Sequence, residues 1–170
     1  MKLYGVYETK SHLVLVIDAL KGGSVFDFIN KNKSSSYKNA SIIMRQCLEG
    51  LAVLNDSNIA HRDIKPENIM LKYANKPLEF NQAVICDFGL ATDCGDELLL
   101  KKCGSAGYFA PEILNQKSAS ENFKITPGGD VYSMGIIAYI MLTGKLPWKG
   151  NSPVIKQNKM SNIDLSETNN

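Results

Sequence analysis

Eight consecutive residues, His61-Arg62-Asp63-Ile64-Lys65-Pro66-Glu67-Asn68, hold an imidazole, two carboxylates, two cations and a carboxamide. Pro66 cannot continue a helix and disfavours the α conformation at Lys65. Apolar Ile59 and Ala60 precede the stretch, and Ile69, Met70 and Leu71 follow it. The polar groups are therefore expected on a loop between apolar elements, which is how a rigid scaffold presents catalytic side chains. A plain charged turn is the alternative. Downstream motifs weigh against it: Asp87-Phe88-Gly89, then Ala110-Pro111-Glu112, with Gly104 shortly before Pro111.

The elements that must position these groups can be read from periodicity. Residues 3–7 and 12–17 are β-branched and aromatic, separated by a polar turn, and predict a hairpin. Lys21-Gly22-Gly23 turns the chain, and Ser24 caps a short helix through Ile29. Residues 31–38 read as a polar, Ser-rich loop. Residues 40–55 form an amphipathic helix, with Ile43, Cys47, Leu51 and Leu54 on one face. Short strands at 69–72 and 83–86 flank a turn-rich insert. Residues 90–102 have no firm periodicity, and residues 115–124 are polar. A buried helix starts at Asp130; its apolar run 131–142 is too short for a membrane span and carries Ser133 and Gly135.

The chain has 170 residues, 44% hydrophobic, enough for one core. Its net charge of +2 implies no nucleic-acid partner, which would show a basic stripe. The four cysteines, Cys47, Cys86, Cys94 and Cys103, form no C-x-x-C pair and are read as reduced thiols in the cytoplasm or nucleus. No signal peptide or membrane partner is expected.

Three motifs in this order, with Asn68 five residues after Asp63, resemble those of the eukaryotic protein kinase domain. Lys65 is the serine/threonine form. The Gly22-Gly23 turn, the insert before Asp87 and the run from Asp130 to Gly135 resemble the calcium/calmodulin-dependent kinase-like group. The resemblance implies an α+β fold: a partial protein kinase domain over 1–170, with a mostly α large lobe and a remnant β-hairpin of the small lobe. Residues 1–17 would be the small-lobe remnant, 18–22 the hinge, 23–157 the large lobe and 158–170 a frayed tail. It implies transfer of the γ-phosphate of ATP to Ser/Thr hydroxyls of protein substrates, with ATP and Mg2+ as cofactors. A catalytically silent kinase-like binding module is the alternative.

The resemblance also assigns roles. Asp63 would accept or orient the substrate proton, Lys65 would steady the phosphoryl group, and Ser105 would bridge the two, unless it is a generic turn serine. Asn68 and Asp87 would hold the metal; for Asp87 a turn acid capping Gly89 is the other reading. Ile17 would back the adenine slot, the backbones of Asp18 and Leu20 would bond the adenine edge, and Met70 would form the floor. Plain core is the alternative for Ile17 and Met70. His61 is expected to pack on Phe88 without chemistry, and Asp130 to hydrogen-bond the loop backbone. Glu67 is either solvated or faces a basic substrate residue.

The resemblance begins at the family's fourth and fifth strands. No G-x-G-x-x-G loop, V-A-I-K lysine or αC glutamate stands before Leu3. The chain is therefore expected to be a fragment. The isolated 170 residues are expected to bind Mg-ATP feebly and to show no useful turnover. Glu112 is expected to be a buried acid whose arginine partner lies beyond Asn170. The remnant hairpin should leave an edge and an apolar face uncovered. Arg62 is the kind of residue that pairs with an activating phosphate. Thr92 is the only hydroxyl between Leu90 and Lys102, and Lys101 and Lys102 stand where a phosphothreonine is common. Asp96 or Glu97 could supply that charge permanently, so activity is expected not to depend on phosphorylation there.

Overall fold

The computed structural model describes residues 1–95, 103–114 and 126–148. The first two strands, β1 (Leu3–Glu8) and β2 (Leu13–Ile17), form an antiparallel hairpin with an irregularity at Gly5. The hairpin leads through Asp18 into a turn. There Ser24 caps α1 (Val25–Asn32) by a reciprocal box, its hydroxyl bonding the Asp27 amide while the Asp27 carboxylate bonds the Ser24 amide. The helix runs three residues past Ile29, because Val25 and Ile29 anchor one face in the core and the polar end continues into solvent.

The Ser-rich stretch is shorter than predicted. Ser36 accepts a hydrogen bond from the Asn39 amide and starts α2 (Tyr37–Asp56) three residues early. Ala40, Ile43, Cys47 and Leu51 bury one stripe of α2. Next come β3 (Ile59–Ala60), the catalytic-type loop, and β4 (Ile69–Leu71), which pairs antiparallel with β5 (Ala83–Ile85). A strand not read from sequence, β6 (Thr92–Asp93), pairs with β3. A short α3 (Pro111–Leu114) precedes α4 (Gly128–Thr143), which starts two residues before Asp130.

Helix α4 is apolar on nearly every side, as a helix inside a core must be. Met134, Ile136, Ile137, Ile140 and Met141 pack with the α2 stripe, Ile64, Ile69 and Trp148 in one cluster. The described residues thus form an α+β arrangement of four helices and three two-stranded sheets. Among them no helix is long and apolar enough to cross a membrane. Asp96, Glu97, Lys101, Lys102, the 115–124 stretch and the tail from Asn158 lie outside the described residues.

Candidate active site

The loop after β3 is held from below by an acid on the core helix. Asp130, 4% exposed in the first turn of α4, accepts the amides of His61 at 2.7 Å and Arg62 at 2.9 Å, one on each carboxylate oxygen. Burial raises the Asp130 carboxyl, and the two amide bonds pull it back only in part. The positive end of α4 favours the charge there. This anchorage lets Arg62 adopt φ 67°, a left-handed conformation that costs about 1–3 kcal/mol outside glycine. The Arg62 guanidinium Nε donates to the Leu90 carbonyl at 2.6 Å.

Asp63 and Asn68 are buried and Lys65 half-buried. Ser105 Oγ donates to Asp63 Oδ1 at 2.7 Å. Lys65 Nζ lies 2.8 Å from Asp63 Oδ2 and donates to Ser105 Oγ at 3.0 Å. Asn68 Nδ2 donates to the Asp63 carbonyl at 2.9 Å and to Oδ2 at 3.0 Å. The structure therefore brings Asp63, Lys65, Asn68 and Ser105 into one hydrogen-bonded group, and Ser105 bridges the acid and the lysine. Burial pushes the Asp63 carboxyl up. The hydrogen bonds from Lys65 and Ser105, the Lys65 charge and the Asn68 amide outweigh it and hold the group below the usual carboxylate range.

Ser105 reaches this position because Gly104 lies against the loop. Its φ is 111°, and a Cβ there would fall 2.4 Å from the Arg62 carbonyl oxygen. The following turn is pinned by Ser133 Oγ on the Tyr108 carbonyl at 2.8 Å and Trp148 Nε1 on the Gly107 carbonyl at 3.0 Å. Sequence reading did not assign these two anchors. Their signal was a lone serine in the apolar run of α4 and a single tryptophan after Pro147.

Asp87 is positioned by strand register. Ile69 pairs with Ile85, and the Cys86 amide donates to the Asn68 carbonyl at 2.9 Å, so the 68 and 86–87 positions lie side by side at one end of the β4–β5 pair. Asp87 has φ 63°, and its Oδ1 accepts from the Gly89 amide at 3.3 Å. It is both a turn cap and an exposed acid: its second oxygen, like the amide oxygen of Asn68, has no partner among the described residues. Two hard oxygen donors fit Mg2+, which takes one or two protein ligands and completes its shell with phosphate and water. His61 packs its ring edge-on to Phe88, centroids 4.9 Å apart, and its Nε2 lies 3.1 Å from the Cys86 carbonyl.

Residues 18–22, expected as a hinge, lie apart from the loop in sequence. The Asp18 amide donates to the Lys2 carbonyl at 3.1 Å, and its carboxylate accepts the Lys2 amide at 2.7 Å and the Tyr4 hydroxyl at 2.8 Å. The Asp18 carbonyl and the Leu20 amide and carbonyl have no partner among the described residues. Ile17 is 43% exposed and Met70 is half-buried, opposite in strand sense to buried Ile69 and Leu71, so neither is plain core.

One expectation changes. Glu112 is exposed on α3, so no burial penalty attaches to it. Thr92 is 6% exposed in β6, bonded to the Asp93 carbonyl at 3.4 Å, which removes it as a ready phosphate acceptor. Glu67 is exposed beside the loop.

Residues 1–169 match the family model of the protein kinase domain. A probable myosin light chain kinase of Dictyostelium discoideum is 38% identical over 96% of this chain and 50% of its own length. Calcium/calmodulin-dependent protein kinase type 1 of Macrobrachium nipponense is 38% identical over 87% of this chain and 40% of its own. Human death-associated protein kinase 2 is 36% identical over 95% of this chain and 41% of its own. The chain thus spans half or less of these relatives' length. With the acid, lysine, amide and serine in one hydrogen-bonded group and a match along nearly its whole length, the chain belongs to the protein kinase domain family and is similar to serine/threonine kinases of the calcium/calmodulin-dependent kinase-like group.

Proposed function

We propose that the full protein transfers the γ-phosphoryl group of ATP to serine and threonine hydroxyls of protein substrates. The observation that carries this reading is the Asp63 carboxylate, held ionised with one oxygen on Ser105 and the other on Lys65 and Asn68. An ionised acid with fixed oxygens can take the hydroxyl proton as that oxygen bonds to phosphorus and ADP leaves. Lys65, positioned by the same serine, places a positive charge beside the transferring group. Asn68 and Asp87 would hold Mg2+, which neutralises phosphate charge when bound. The Asp18 carbonyl and Leu20 amide would bond the adenine edge, with Ile17 behind it and Met70 beneath.

The four free thiols support, as part of this reading, a cytoplasmic or nuclear site of action. The test is a transfer assay on the full-length protein with γ-labelled ATP and a mixed-hydroxyl peptide library. Label on serine and threonine is the expected result. Label on tyrosine alone, or nucleotide binding with no transfer, would sink the proposal.

A further inference from the structure

Two glycines bracket the serine that joins the acid and the lysine. Gly104 has φ 111° and Gly107 has φ 96°, both in the region that glycine alone enters freely. Between them Ser105 and Ala106 form a turn, closed by the Tyr108 amide donating to the Ser105 carbonyl at 3.3 Å. Such a turn can swing on its two glycine joints, so what the Ser105 hydroxyl meets depends on what holds the turn. On the near side Gly104 rests against the Arg62 carbonyl. On the far side Gly107 is held by Trp148.

Trp148 is 6% exposed, packs in the main core cluster and lies 41 positions along the chain from Gly107. The path of the chain toward it is fixed at the end of α4. Gly144, with φ 72°, donates its amide to the Ile140 carbonyl at 2.7 Å and ends the helix, and Thr143 Oγ1 accepts the Lys145 amide at 3.2 Å. The indole Nε1 then donates to the carbonyl of buried Gly107 at 3.0 Å. An indole has a single N–H and accepts nothing, so this bond is undivided. Ser133 is the lesser anchor: its one hydroxyl hydrogen is shared between the Tyr108 carbonyl at 2.8 Å and the Gly129 carbonyl at 3.0 Å. Without the indole N–H the buried Gly107 carbonyl would lack its donor, which is costly. Rotating the turn toward water would relieve it and would carry Ser105 along.

We propose that Trp148 is a positioning residue for phosphotransfer: its indole N–H fixes the 104–108 turn and so sets Ser105 against Asp63 and Lys65. Ser105 Oγ donates to Asp63 Oδ1 at 2.7 Å and accepts from Lys65 Nζ at 3.0 Å. A displacement of the turn by about 1 Å would take both contacts out of hydrogen-bonding range. Trp148 thus acts through another side chain and touches no reacting atom. This role rests on the proposed transfer reaction, and the experiment below separates the failure of one from the failure of the other.

The test is a double-mutant cycle on the full-length protein, with γ-labelled ATP and an acceptor peptide. Trp148→Phe keeps an aromatic ring in the core and removes the N–H. It should lower kcat roughly five- to tenfold, leave the KM for ATP in place, and move the acid limb of the pH–rate profile upward, as loosening Ser105 from Asp63 requires. In the Ser105→Ala background the same substitution should have no further effect on kcat, because the group it places is gone. A second measurement needs neither turnover nor a Trp148 variant. With nitrogen-labelled tryptophan, Ser105→Ala should shift the Trp148 indole N–H resonance and speed its hydrogen exchange, since coupling is reciprocal. Losses that multiply in the double variant, an acid limb that stays in place, an unchanged kcat in Trp148→Phe, or an indole N–H indifferent to Ser105→Ala would each overturn the positioning role. No transfer by the parent protein would instead sink the proposed function, and the indole signal would still decide whether Trp148 and Ser105 are linked.

Discussion

The loop from His61 to Asn68 and the hairpin β1–β2 are opposites in how they are held. The loop takes partners from far along the chain: buried Asp130 under the backbone, and the half-buried Ser105 on the acid and Cys86 amide on the Asn68 carbonyl. In the hairpin Leu3, Tyr4, Val6, Tyr7, Leu13, Val14, Leu15, Val16 and Ile17 are all exposed, and the segment that follows is tied to it through the half-buried Asp18, whose carboxylate accepts from the Lys2 amide and the Tyr4 hydroxyl. Isolated two-stranded hairpins are marginal in water. The contrast teaches that chemistry here is fixed by long-range hydrogen bonds into a packed helical core, and that apolar content in a strand does not itself bring burial.

The largest effect should come from the centre of the loop. In the full-length protein Asp63→Asn should lower turnover by roughly 10²–10⁴ with ATP affinity nearly unchanged, since the group addresses the acceptor hydroxyl. Steady-state assays with nucleotide-binding calorimetry read both quantities. Retention of more than half the turnover would remove Asp63 from its role.

Next comes the support beneath. Asp130→Asn keeps one acceptor oxygen and leaves the His61 or Arg62 amide unsatisfied, for a loss of about 1–3 kcal/mol. Denaturant unfolding measures it. A neutral result would show that Arg62 holds its left-handed backbone without this anchor.

A smaller effect is expected at Ser105. Ser105→Ala should slow transfer roughly tenfold, the worth of one hydrogen bond to a charged group. It should also move the acid limb of the pH–rate profile upward, because a bond favouring the ionised acid is gone. The sign follows from the lowered Asp63 carboxyl: it contributes stability above the ordinary carboxylate range, and that stability is lost as pH falls through the folded value. An acid limb that stays in place would detach Ser105 from the titration of Asp63.

The smallest effect belongs to the hairpin. In the 170-residue chain Val6→Lys with Leu13→Lys should change stability by no more than about 0.5 kcal/mol each and should reduce self-association, measured by sedimentation. A loss of several kcal/mol would mean these faces are packed, and the contrast between the two regions would fail.

The sequence by itself determined the parts with local causes. Pro66 kept the charged stretch out of an α-helix and opened a single 3-10 turn at its end, the four-residue spacing of Ile43, Cys47 and Leu51 made α2, Ser24 started α1, and a mostly apolar run made α4 a core helix. The identities of Asp63, Lys65, Asn68 and Asp87 were legible as a set through motif order. Other features depended on contacts between segments distant in sequence. That Ser105 touches both Asp63 and Lys65 depends on Gly104 meeting the Arg62 carbonyl 42 positions away. That Thr92 is buried follows from pairing with Ala60, and that Glu112 is exposed follows from where α3 lies. Burial and hydrogen-bond partners are properties of assembled surfaces, so residue type sets which bonds a group can make, and only the tertiary structure decides which ones it makes.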